Sequence, residues 1–96
     1  MEKIYHVFVL VNMRYEIFYV GVTKNLKEYM DEHKAGRGAA FPTRYNVDDL
    51  VYYESGLTVD DALARRHELG LLSIKERMKY IETVNSEWKD MYDTLS

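Results

Sequence analysis

Arg66 is a permanent cation set among Val59, Ala62, Leu63, Leu69 and Gly70, an apolar run at helical spacing. A charge on such a stripe is expected to face the protein body, where an unpaired ion is costly. It must then pair with a carboxylate such as Glu28, Asp31 or Glu54, or offer its planar fork of donors to an outside anion. Tyr19, Tyr29, Tyr45 and His33 could add polar contacts or ring faces to such a pocket. The cations Lys24, Lys27, Lys34, Arg37 and Arg44 lie close in sequence and precede the acidic Asp48, Asp49, Glu54, Asp60 and Asp61. Each feature has a plainer structural counterpart. The charge run reads equally as a solvated face. His33, beside Met30 on the inner side of a helix, reads as a hydrogen-bonded core residue before it reads as a base.

Composition bounds what these groups can serve. The 96 residues are 47% hydrophobic, enough for one domain, expected to span 1–96, with residues 86–96 as a tail packing on its body. A chain of this size buries roughly 60–70% of its unfolded surface. There is no cysteine, hence no disulfide or thiolate chemistry, which suits a reducing cytoplasm. The run Val7–Val11 is too short to cross a bilayer, no signal peptide is read, and no membrane partner is expected. A net charge of -3 and a pI near 5.6 disfavour non-specific nucleic-acid binding, which needs Lys and Arg to displace counterions. Nine tyrosines are many for this length, and tyrosine suits interfaces. Tyr52, Tyr53 and Tyr80 are expected to pack.

The elements that must hold these residues follow from periodicity. Tyr5–Val11 and Ile17–Val22 read as a hairpin joined by the polar turn 12–16, and both strands are apolar on both faces, so the sheet should be covered on both sides. Asn25 followed by Glu28 starts a helix that ends near Lys34. Leu50–Glu54 reads as a third strand. Thr58 with Asp61 and Ser73 with Glu76 start two more helices, the last with Ile74, Met78, Ile81 and Val84 at helical spacing. Trp88, Met91 and Tyr92 should fold back. The fold class is therefore α+β, with a small three-stranded, mainly antiparallel sheet flanked by about three helices in the order β-β-α-β-α-α.

In that order the segments "HVFVLVN", "FYVGVTKNL", "EHKAG", "RYNVDDLVYYE", "DALARRHEL" and "NSEWKDMY" resemble the GIY-YIG nuclease superfamily over nearly the whole chain. The likeness is strongest to its short stand-alone bacterial members, similar to the N-terminal domain of the excision-repair nuclease subunit. The resemblance implies DNA phosphodiester hydrolysis with one divalent metal. It assigns the chemistry to tyrosines of the two namesake motifs, an arginine on the first helix and a metal-binding glutamate on the second.

Residue by residue, this chain departs from that set. The second motif is Tyr19, Val20, Gly21, but the first is His6, Val7, Phe8, without its hydroxyl. The arginine falls on Tyr29 and the glutamate on Arg66, whereas His33, Tyr45 and Glu54 are family-like. A guanidinium in place of the carboxylate repels a hard cation that wants oxygen donors. The expectation is a non-enzymatic binding or interaction module with no cofactor, taking a protein partner or an anionic ligand through Arg66, Tyr45, Lys34, Arg37 and Arg44. One alternative is a divergent Mg-dependent DNA endonuclease that reassigns its ligand to Glu54. Another is metal-free nucleic-acid or nucleotide binding through Arg66, His33 and the basic loop.

Overall fold

The computed structural model describes residues 2–37 and 45–95. Strands β1 (Tyr5–Val11), β2 (Phe18–Thr23) and β3 (Asp49–Leu57) form an antiparallel sheet in the order β2-β1-β3. Helix α1 (Leu26–Lys34) precedes β3, helices α2 (Val59–Leu71) and α3 (Ile74–Glu82) follow it, and a 3-10 turn covers Met91–Thr94.

β1 is central, and Val7 to Val11 are wholly buried. Alternation splits them between two cores. Val7, Val9 and Val11 join Val51, Tyr52, Ala62, Leu69 and Ile81 on the side of α2 and α3. Phe8 and Leu10 join Leu26, Met30, Val47 and Leu50 on the side of α1. The doubly apolar strand pattern is thus satisfied by helices on both faces. Burying each such side chain contributes roughly 1.5–3 kcal/mol.

β3 runs past the expected end at Glu54 because the chain absorbs a register shift there. Tyr5 opposes Leu57 while Val7 opposes Glu54, so His6 faces both Ser55 and Gly56. Gly56 takes φ 73, which a side chain would disfavour, and the bulge sets the Ser55 hydroxyl 2.8 Å from His6 Nδ1. At Gly21 the constraint is space: a Cβ would lie 2.9 Å from Phe8 Cε1, inside the buried ring.

All three helix starts are capped as the sequence implies. Asn25, Thr58 and Ser73 accept from the backbone N–H of Glu28, Asp61 and Glu76, and Glu76 returns a bond to Ser73 N–H. Arg77 closes the other end of α2, donating through Nε to Leu69 O (3.2 Å) and through Nη2 to Leu72 O (3.2 Å). These carbonyls would otherwise lack partners. Of the apolar residues at helical spacing in α3, Ile81 is buried, but Ile74 is 54% exposed and Val84, beyond the helix end, 57% exposed. One short helix lying on the sheet can bury only a narrow stripe.

The C-terminal segment is held by two polar side chains. Buried Asn85 donates to Val51 O (3.1 Å) and Lys89 O (2.8 Å). Asp90 accepts from the N–H of Leu50 and of Tyr92, both at 3.1 Å, and pairs with Lys34 at 2.6 Å. Trp88 thereby reaches the core under α2, and Met91 and Tyr92 the core under α1.

Candidate functional site

On the α1 face of the sheet, four of the singled-out residues meet. Phe8 on β1 lies 4.7 Å from the Tyr29 ring and 6.2 Å from the Tyr19 ring, centroid to centroid. Tyr29 stacks with His33 one turn on, at 6.3 Å. β-pairing of Leu10 with Tyr19 and of Phe8 with Gly21 puts Tyr19 on this face, and the bare Gly21 gives Phe8 its room.

The chemistry open to this cluster is narrow. The Tyr29 hydroxyl is buried beside Tyr19 without the geometry of a formed hydrogen bond. Burial first, and then Tyr19, push its pKa far above the ordinary phenol value. It stays protonated and cannot replace a cation. His33 is 3% exposed; its Nε2–H donates to Val47 O at 3.0 Å and lies 3.1 Å from Asp48 Oδ1. Its Nδ1 is buried and unpaired among the described residues. His33 is a hydrogen-bonded core residue.

Beside Tyr29 lies an open depression of about 400 Å³ whose lining includes Lys24, Glu28, Glu32 and Arg37. Arg37 is forked onto Glu32 (2.8 and 3.2 Å), so the two cations there face two carboxylates. Lys34 is likewise committed to Asp90. Tyr45, 45% exposed, lines a different depression of about 450 Å³ with Arg14 and Asp48. Arg44 lies outside the described residues.

The expectation for Arg66 is corrected. Arg66 is exposed and has no hydrogen-bond or ion-pair partner among the described residues. Leu63 and Gly70 are exposed with it, and the inward row of α2 is Ala62, Arg65, Leu69. The expected partners of Arg66 are engaged elsewhere: Asp31 with Lys27, Glu28 with Asn25, and Glu54 with Arg65. Rows 62-66-69 and 62-65-69 both satisfy helical spacing, and the carboxylate waiting on β3 decides between them.

Sequence reasoning missed the resulting network. Arg65 Nε donates to Glu54 Oε2 at 2.6 Å and Nη1 to Glu68 Oε2 at 3.0 Å, while Nη2 bonds the Tyr80 hydroxyl. The Tyr52 hydroxyl donates to the same Glu54 oxygen at 2.5 Å. The Glu54 bond is the main reason the Arg65 pKa is raised, and burial the main reason that of Tyr52 is raised. The available signal was Tyr52 and Glu54 two apart on a strand, hence on one face, opposite an arginine three residues after Ala62.

Residues 4–81 match the GIY-YIG catalytic domain family. The chain belongs to the GIY-YIG family. It is similar to the UPF0213 protein in the ldhD 5′ region of Pediococcus acidilactici, 36% identical over 70 residues covering 70% of either chain. It is 30% identical to a UPF0213 protein of Haloquadratum walsbyi over 81% of this chain and 88% of that one. With the UPF0213 protein YazA of Bacillus subtilis it shares 26% identity over 96% of this chain and 93% of that one. No solved structure matches it.

Within this GIY-YIG domain the side chains described above are divided by the sheet. Phe8, Tyr19, Tyr29 and His33 lie on the α1 side, whereas Glu54 and Arg65 lie on the side of α2, the helix that also carries Arg66. The divalent metal implied by the family does not fit these residues. Arg66 is a cation where the resemblance assigns the carboxylate, and Glu54 Oε2 already accepts from Arg65 and Tyr52. Among the described residues no three His, Cys, Asp or Glu side chains gather as a ligand set.

Proposed function

We propose that this GIY-YIG domain is catalytically silent and works by binding. The observation that carries the reading is the Phe8–Tyr29 ring contact at 4.7 Å. Two positions that would transfer a proton and hold a phosphate instead form a packed aromatic pair, and the third, Arg66, is a surface cation. Hydrolysis of a phosphodiester needs an activated water and stabilised charge on phosphorus oxygens and leaving group. A buried phenyl and a protonated phenol provide neither. The lack of cysteine suits a cytoplasmic setting for such a module.

The test is direct. Single-stranded, double-stranded and branched DNA incubated with the protein and Mg²⁺ or Mn²⁺ should remain intact. Cleavage that disappears in Tyr19→Phe would overturn the proposal. It would favour the divergent nuclease, for which the retained Tyr19 beside Tyr29 is the supporting observation. Metal-free nucleic-acid binding finds less support, since Lys34, Arg37 and His33 are engaged within the chain. It would show as affinity that falls steeply with salt and with Arg66→Glu.

A further inference from the structure

We infer that Ser55, activated by His6, is a nucleophile that takes up a small acyl group from an activated ester or thioester. This covalent capacity is separate from DNA cleavage and goes beyond the binding-module reading. The sheet builds the pair. His6 lies near the start of β1 and Ser55 in the β3 bulge that faces it, beside Gly56 at φ 73, with the Ser55 hydroxyl 2.8 Å from His6 Nδ1. With the ring protonated at Nε2, that hydroxyl donates to Nδ1, the contact through which a base draws the proton from a nucleophile. Burial lowers the His6 pKa from 6.5, which leaves the ring neutral and able to accept near pH 7. Other hydroxyls are used differently: those of Thr23, Thr58, Ser73, Thr83 and Thr94 bond backbone groups.

His6 and Ser55 line one depression of about 310 Å³, together with Leu26, Lys27, Tyr53 and Leu95. The N–H groups of Leu26 and Lys27, in the first turn of α1, have no hydrogen-bond acceptor among the described residues. Donors of this kind stabilise a carbonyl oxygen as it gains charge. The acyl class follows from the charges. Lys27 is paired with Asp31 at 2.6 Å, so the lining offers no unpaired lysine or arginine to a phosphoryl donor, whereas Leu26 and Leu95 suit a short hydrocarbon. In the reaction, Ser55 Oγ bonds the acyl carbon while its proton passes to His6 Nδ1. The bond from that carbon to the leaving group then breaks, the departing alcohol or thiol takes the proton from His6, and Ser55 remains as an O-acyl ester.

The folded full chain is incubated with p-nitrophenyl acetate, with release of p-nitrophenol followed beside peptide mass spectrometry of the product. An acetyl group on Ser55 is expected, formed at a rate that rises between about pH 5 and 6.5 and is level from about pH 7 to 8. Ser55→Ala should remove the label from that peptide. His6→Gln, which can still bond the hydroxyl but takes no proton, should slow labelling at least tenfold in a chain whose circular dichroism is unchanged. Acetyl groups on His6, Lys27 or Tyr53 instead of Ser55 would overturn the inference, as would a Ser55 rate indifferent to His6→Gln or equal in the urea-unfolded chain. So would a rate in the unmutated chain that keeps climbing beyond pH 8, as for a hydroxyl without a base. A chain that leaves DNA intact and Ser55 unlabelled loses the nucleophile alone; one that cuts DNA loses the silent-domain reading whatever Ser55 does.

Discussion

Arg65 and Arg66 are chemically identical neighbours with opposite situations, and the difference should be measurable. Arg65→Met leaves the Glu54 carboxylate, 28% exposed, facing Tyr52 and Val7 without its cation. Stripping a partner from such a group costs about 1–3 kcal/mol. Arg66→Met removes no hydrogen bond or ion pair among the described residues and should stay within about 0.5 kcal/mol of the parent. Urea denaturation of the two variants checks this; equal losses would refute the placement of Arg65. Gly21 gives a second residue-scale prediction. A methyl there meets the fully buried Phe8 ring, and overpacking of this kind costs about 1–3 kcal/mol. Phe8→Leu in the Gly21→Ala background should recover part of that loss.

α2 and α3 bury narrow apolar stripes, Ala62 and Leu69 on one and Ile81 on the other, so their caps are a sizeable share of what holds them. Ser73→Ala removes one arm of the capping box and should cost about 1 kcal/mol, read as a shift in thermal midpoint. These caps were legible from spacing because they are local: Ser73 and Glu76 need nothing distant to find each other. The inward row of α2 was not legible. Two rows were compatible with its pattern, and Glu54, eleven residues before Arg65, chose one of them. The extension of β3 escaped for a similar reason, since the bulge at Ser55 and Gly56 exists only against His6 on β1.

At the scale of the molecule, pH should reveal which charges the fold has placed. Asp31, Glu32 and Glu76 are held below the ordinary carboxylate range, chiefly by hydrogen bonds from Lys27, Arg37 and the Ser73 N–H respectively. Fewer protons are then bound in the folded state, so their stabilisation is complete above the ordinary values of 3.8 to 4.5 and is lost as pH falls through the lowered ones. Asp49, raised by burial and then by Asp90, works in the opposite sense and blunts this acid limb. His6 is lowered from 6.5 by burial, so its contribution is complete above that value and fades as acid charges the ring. Urea midpoints should therefore be level between about pH 7 and 9, dip slightly below 6.5, and fall further below 4.5. His6→Gln should erase the first dip and leave the acid limb.

By itself the sequence determined the order of elements, the caps and the two-faced central strand, because periodicity and short-range bonding are written in neighbouring residues, and its ordered segments carried the resemblance to the family. Through the resemblance it also raised the expectation that Phe8, Tyr29 and Arg66 stand where the family's chemistry would require other groups. Only the tertiary structure decided that Arg65 turns inward while Arg66 stays in water, and that Tyr29 and Glu54 lie on opposite sides of the sheet. Those outcomes depend on which charge meets which across β3 and α2, and an ion pair between distant residues leaves no periodic trace in the chain.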